Sequence, residues 1–339
     1  MQAAVFDGNH VLKLVDIDKP IIEPGNALVK MKYVGICGSD LFIISGKNPR
    51  TPPPLILGHE CVGEIVDLDD DKDSNYKIGD TVTVYISYFC GHCYYCRAGA
   101  FHFCKMLQIF GCQTNGAFAE YVSVPKKNLI ILPKEIQTLN AVLTEPTSIA
   151  AHAVSIANIK QEDAVLVVGG GPIGYLVASI VKLHGCDSVL VAEVNPYRLQ
   201  FLQGEGFNTV NAAKDNIGEK ILDMTNGGGS NFIFECAGQN SSLHYLTEYG
   251  APGARMIIVA NYKTTSTIDL FGISRFEKSI QTSWLSTFRD YYNAIEMLKK
   301  NKINSNNIIS RVFPLHSINE GIAIAEKAQA TMKIVVELG

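Results

Sequence analysis

The run Gly169-Gly170-Gly171-Pro172-Ile173-Gly174 constrains this 339-residue chain more than any other feature. The apolar run 164–168 leads into it and a helical pattern, 173–184, leaves it; a second apolar run, 188–194, then carries an acid, Glu193, 19 residues after Gly174. Strand, glycine turn, helix and strand in that order demand a parallel sheet, because parallel neighbours need a crossover connection. In this context the spacing is the dinucleotide-binding fingerprint. Gly169 permits the tight turn, Gly171 lets backbone approach a pyrophosphate, and Gly174 lets the helix pack closely on the sheet. Pro172 and Ile173 open the helix whose N-terminus faces the phosphates. A glycine turn without a ligand is the plainer reading of the run by itself; the strand, helix and acid around it favour the cofactor. Glu193 is suited to accept hydrogen bonds from the adenosine ribose and to repel a 2'-phosphate, which favours NAD over NADP. Arg198 either contacts the cofactor or makes a helix-surface ion pair.

Single cores stop growing at roughly 250 residues, so two domains are expected. A hydrophobic content of 47%, a charged content of 18% and a net charge of -4 exclude a disordered tail and disfavour nucleic acid as a partner. No apolar stretch reaches membrane-spanning length and no leader pattern opens the sequence, so a cytoplasmic protein with no membrane partner is expected. As far as Glu145 the chain reads as short strands, for example 27–31 and 81–84. Beyond 164 it alternates apolar runs with helical patterns, with further strands expected at 231–235, 255–259 and 279–285. A helix at 290–300 and a strand at 333–337 read as a return to the first domain. The acidic cluster 69–73 reads as a solvated loop.

Nine cysteines, an odd number, fit a secreted disulfide framework poorly. Cys90, Cys93, Cys96 and Cys104 form a C-x2-C-x2-C-x7-C pattern that can wrap one tetrahedral zinc in thiolates. Four protein ligands leave no open position, so this zinc is expected to staple a lobe; an iron-sulfur cluster is the rival reading. His92 and His102 are expected at the surface of that lobe. Cys61, Cys112, Cys186 and Cys236 read as buried thiols without a role.

A second constellation is dispersed: Cys37 in Gly35-Ile36-Cys37-Gly38-Ser39-Asp40, His59-Glu60 after Gly58, and Glu145 between Thr144 and Pro146. Sulfur, nitrogen and oxygen donors together suit a catalytic zinc with an exchangeable position, whose Lewis acidity favours ionisation of an alcohol. These segments, their order and the glycine run resemble the zinc-containing medium-chain dehydrogenases over essentially the whole chain. The Glu-Pro at Glu145 is similar to sorbitol dehydrogenase and its bacterial polyol and butanediol relatives.

The resemblance implies an α/β protein with a GroES-like, β-rich catalytic domain at 1–148 and 285–339, carrying a structural zinc lobe at 88–106. It implies a Rossmann domain with a doubly wound parallel sheet at 149–284. Two zinc ions per chain, NAD, a small-molecule alcohol or polyol as substrate, and a homodimer or homotetramer follow from it. It implies Cys37 and His59 as steady zinc ligands, with Glu60 and Glu145 either ligating or holding a zinc-bound water. Ser39 stands where the family has a hydroxyl close to substrate and is the candidate proton relay; by chemistry alone it reads equally as a helix N-cap. Phe42 stands where many relatives carry a histidine, and Ser286-Thr287 where sorbitol dehydrogenases carry an Arg-Tyr pair. The expected reaction is oxidation of a secondary alcohol to the ketone. The alternatives are a specificity for 2,3-butanediol, threonine or a sugar phosphate, or a non-catalytic dinucleotide-binding protein.

Overall fold

The computed structural model describes residues 1–69, 75–262 and 264–339. Along the chain run β1 (Gln2–Phe6), β2 (Leu12–Asp16), β3 (Asn26–Gly35), α1 (Gly38–Ile44), β4 (Leu55–Ile56), β5 (Glu60–Leu68), β6 (Thr81–Val84), β7 (Ser87–Tyr88), α2 (Tyr94–Arg97), β8 (Gln108–Ile109), β9 (Tyr121–Pro125) and β10 (Leu129–Ile131). Then follow α3 (Thr144–Ala157), β11 (Val165–Val168), α4 (Pro172–Leu183), β12 (Val189–Glu193), α5 (Pro196–Gly204), β13 (Asn208–Asn211), α6 (Ile217–Met224), β14 (Ser230–Glu235), α7 (Tyr245–Tyr249), β15 (Gly250–Ile258), α8 (Leu270–Arg275) and β16 (Ser279–Thr282). The chain closes with α9 (Phe288–Lys299), α10 (Ser305–Ile308), β17 (Ile309–Pro314), α11 (Ile318–Lys327) and β18 (Lys333–Glu337).

Two compact units result, one from Met1–Glu145 with Thr287–Gly339 and the other from Pro146–Ser286. In the first, β10-β6-β5-β3-β18-β17 form one sheet, with β9 also paired to β3. The long strand β3 is the organiser: it pairs antiparallel with β5, β9 and β18. Its pairing with β18 is what brings the C-terminal strand back to the first unit, and residue 35 at its end lies opposite both Val335 and Glu60. In the second unit the strands are parallel in the order β13-β12-β11-β14-β15-β16. Val165, Leu166, Val167 and Val168 are all buried, as a central strand covered on both faces requires. The order reverses direction between β11 and β14, the place where an open α/β sheet binds ligands at its carboxyl ends.

Of the run expected as a solvated loop at 69–73, only Asp69 is among the described residues. Asp69 accepts from the Gly25 amide and is ion-paired with Lys126, while 70–73 lie outside the described residues. Among the described residues no helix is long and apolar enough to cross a membrane.

Candidate active site

The end of β3 and the start of α1 set the first group in place. Cys37 is the N-cap of α1, and its amide donates to Asp40 Oδ2 at 2.9 Å. Ser39 is therefore a residue of the helix's first turn, not its N-cap. Its hydroxyl lies 3.4 Å from His59 Nε2. His59 and Glu60 enter with β5, whose first residue sits opposite Gly35. A Cβ at Gly35 would overlap Glu60 Oε2, so glycine there is a condition of this arrangement.

One donor atom each from Cys37, His59 and Glu60 lies within 4.8 Å of the others, a grouping able to hold a metal ion. Glu145, buried at the start of α3, is not a member of that set, although its charge interacts with His59, Glu60 and Lys333. Burial, with Glu60 and Asp40 adding to it, pushes the Glu145 carboxyl up to about 7 against the pull of His59. Among the described residues, three buried carboxyl groups, Asp40, Glu60 and Glu145, with the Cys37 thiol beside them, face two basic groups, His59 and Lys333. Such a surplus of buried anionic donors is costly alone and is relieved by a dication, so the donor set fits zinc in both charge and softness. Binding a dication beside it would favour the ionised form of the Glu145 carboxyl.

Three contributors carry no signal in the sequence. Lys333, from β18, is 4% exposed and donates to both Glu60 oxygens at 2.7 and 2.6 Å and to the Ile36 carbonyl at 3.3 Å. Asp40 Oδ1, otherwise without a hydrogen bond, lies 3.6 Å from His59 Nδ1, the relation in which a carboxylate orients a ligating imidazole. Cys112 is only half-buried and its thiol is 3.9 Å from the same Nδ1, which corrects its reading as an inert core residue. Replacing Lys333 with methionine would leave Glu60 buried without its partner, and a loss of about 3–5 kcal/mol of stability is expected. Denaturant unfolding measures it; an unchanged midpoint would mean that Glu60 does not depend on Lys333.

Ser286 and Thr287 are both engaged in internal hydrogen bonds. Ser286 is buried with its hydroxyl 2.9 Å from that of Ser148. Thr287 is the N-cap of α9 in a reciprocal capping box with Asp290.

In the lobe, the thiols of Cys90, Cys93, Cys96 and Cys104 also group within 4.8 Å of one another. Cys90 and Cys96 sulfurs are 3.9 Å apart and those of Cys93 and Cys96 3.5 Å apart, either side of the ~3.8 Å edge of a tetrahedron with Zn–S near 2.3 Å. Amides of Cys90 and Met106 donate to Cys104 Sγ, both at 3.3 Å. Amides near Cys93 lower that thiol to about 6, whereas burial and the neighbouring thiols push Cys96 up to about 12. Four thiolates cannot coexist there without a cation. His92 is exposed, but His102 is buried against Phe103 with ring centroids 3.9 Å apart, contrary to a surface placement.

The glycine loop follows β11 directly. Gly169 takes φ +93, and a Cβ on Gly174 would overlap the Gly169 carbonyl oxygen. Gly171 is the N-cap of α4, with Pro172 in the first helical position and Ile173 next. Glu193, ending β12, accepts from Gly170 N at 2.7 Å and from Val194 and Asn195 N at 2.7 and 2.9 Å. Arg198, on α5, holds Nη1 4.0 Å from Glu193 Oε2, close above the position a Gly171 side chain would take. Together the two residues form a charged edge beside the loop.

Comparison with known proteins gives two family matches: residues 23–134 to the alcohol dehydrogenase GroES-like domain and residues 172–300 to the zinc-binding dehydrogenase domain. A 2-dehydro-3-deoxy-L-galactonate 5-dehydrogenase from Pseudoalteromonas atlantica is 30% identical, covering 99% of this chain and 98% of the relative. An L-threonine 3-dehydrogenase from Pyrococcus horikoshii is 30% identical over 96% of this chain and 95% of its own. Among solved structures, an Escherichia coli alcohol dehydrogenase, RspB, complexed with NADH superposes with a TM-score of 0.93 at 28% identity, covering 100% of this chain and 99% of that one.

Proposed function

Because the chain belongs to the zinc-binding alcohol dehydrogenases built on a GroES-like domain, we propose that it oxidises a secondary alcohol of the polyol or sugar-derivative class to the ketone, with NAD as hydride acceptor. The observation that carries this reading is the grouping of half-buried Cys37 with buried His59 and Glu60, with the charge of Glu145 close enough to interact with both His59 and Glu60. In it Cys37 and His59 would hold the zinc, with Glu145 and Glu60 either ligating it or holding a zinc-bound water. The bound zinc supplies Lewis acidity that makes an alcohol easier to ionise. Asp40 fixes the His59 ring. Ser39 Oγ takes the substrate proton and passes its own onward. Phe42 has no titratable group, so the proton goes from Ser39 to water. NAD, which the 169–174 loop and Glu193 would hold, would supply the hydride acceptor.

The two relatives act, by their names, at C5 of a sugar acid and C3 of threonine, both secondary carbons. Sorbitol itself has less support, because Ser286 and Thr287 are engaged in internal hydrogen bonds where an Arg-Tyr pair would reach a polyol. A homo-oligomer belongs to the same reading: Leu270 and Phe271 on α8 are 72% and 75% exposed, close in sequence to the open edge strand β16.

NADH formation from a panel of polyols, sugar acids, sugar phosphates, threonine and 2,3-butanediol, run with metal analysis, tests the proposal. Turnover on a secondary alcohol at two zinc ions per chain is the expected result. No turnover on any of them at full zinc would sink it, and less than one zinc per chain would favour a non-catalytic dinucleotide binder.

The same assay reads cofactor choice. With Glu193 replaced by serine and Arg198 kept, the repulsion of a 2'-phosphate disappears and a cation remains to receive it. The ratio of kcat/KM for NADP to that for NAD should rise by roughly a hundredfold, the scale of one lost charge-assisted hydrogen bond and one removed repulsion. An unchanged ratio would remove Glu193 from cofactor selection.

A further inference from the structure

The proposed reaction leaves the thiol of Cys112 without a task, yet several contacts fix it beside His59. Its turn is tight: the amides of Cys112 and Gln113 both donate to the Ile109 carbonyl, at 3.1 and 2.8 Å, and Gln113 Oε1 accepts from Ile109 N at 3.0 Å. The turn is also bolted to the segment that leads into His59. Gly116 N donates to the Ile56 carbonyl at 2.8 Å and Ala117 N to that of Gly58 at 2.9 Å. A Cβ on Gly111 would come within 2.3 Å of the Gly58 carbonyl oxygen, so the backbone carrying Cys112 packs directly on the residue before His59.

The two imidazole nitrogens of His59 have different surroundings. Nε2 lies 3.4 Å from Ser39 Oγ, while Nδ1 faces Asp40 Oδ1 at 3.6 Å and Cys112 Sγ at 3.9 Å. An oxygen at 3.6 Å is too far for a good hydrogen bond, whereas 3.9 Å is within reach of the larger sulfur atom. Asp40 is meanwhile anchored through Oδ2 to the Cys37 amide at 2.9 Å. An imidazole that gives Nε2 to a metal carries its proton on Nδ1, and the group accepting that proton fixes the tautomer and the ring orientation.

We propose that Cys112 is a positioning residue for His59: its sulfur accepts from Nδ1–H alongside Asp40 and steadies the ring that holds the catalytic zinc. The inference rests on the zinc reading above. A side chain that merely filled space there would have no use for the sulfur's lone pairs, and three substitutions separate the two roles. Valine keeps most of the volume and removes the acceptor. Alanine removes both, and serine differs from alanine by one hydroxyl.

The test equilibrates the zinc-loaded full-length protein and its Cys112→Val, Cys112→Ala and Cys112→Ser variants with a chelator of graded concentration. The zinc ion followed is the one that Cys37→Ser lacks. Valine and alanine should each loosen it about tenfold, the lower end of the effect of an outer-shell partner. Serine, whose oxygen reaches less far than sulfur, should hold it about threefold more tightly than alanine. Native-like retention with valine but not with serine would mean a packing role, equal losses in all three a general structural one, and no loss in any of them no role; each overturns the proposal. Should the valine variant not fold, the serine–alanine difference decides alone. A native protein with no zinc ion that depends on Cys37 overturns the zinc reading as well.

Discussion

Serine in place of Cys37 is expected to cut turnover by at least about a thousandfold, since the Lewis acidity of a catalytic metal is worth several kcal/mol and each 1.36 kcal/mol is tenfold in rate. Fold loss will not explain the effect. Cys37 is the N-cap of α1, and serine is a better N-cap than cysteine, so the helix loses nothing by the exchange. Zinc should fall from two ions per chain to one, with the thermal midpoint little changed. Retention of both zincs with full turnover would exclude Cys37 from the site.

Replacing Cys96 with serine should have the opposite signature. The lobe between β7 and β8 holds only the short helix α2 and a 3-10 turn, and its Tyr94, Phe103 and Met106 side chains are more than half exposed. It has little core of its own. Its base is anchored by Phe89 and Phe101, centroids 4.2 Å apart, both edge-on to Phe288 of α9, while the segment from Cys90 to Cys104 depends on the metal. Metal binding free energy in such sites is folding free energy, on the order of 10 kcal/mol in isolated zinc modules. The expected outcome is one zinc lost, rapid proteolysis within 88–106 and a lower thermal midpoint. If Cys37→Ser and Cys96→Ser lost stability equally and neither changed turnover selectively, the division into a catalytic and a structural zinc would be wrong.

The features legible in the sequence are those whose physics is local. Gly174 must be glycine because its neighbour is the carbonyl of Gly169, five residues away, and the helix geometry that brings them together is fixed by the intervening residues. Three of the lobe cysteines fall within seven residues, so their spacing alone prescribes a shared centre. The strand run at 165–168 is readable because burial on both faces leaves a continuous apolar stretch.

Cys37, His59 and Glu145 are of a different kind. Each has an ordinary reading alone, and only their likeness to a family joined them. Lys333 had no such help: its partner Glu60 is 273 residues away, and the contact exists because β3 pairs with β5 on one side and β18 on the other. A strand's sequence records which face is apolar; it does not record which distant strand lies opposite. The same holds for Asp40 and Cys112, placed at one imidazole nitrogen by two separate turns. The sequence by itself determined the cofactor loop, the cysteine lobe and the alternation of strands and helices, because short-range sterics and ligand spacing are written in neighbouring residues. Tertiary structure alone decided which charges are buried together, because desolvation and register depend on elements that meet only once the chain is folded.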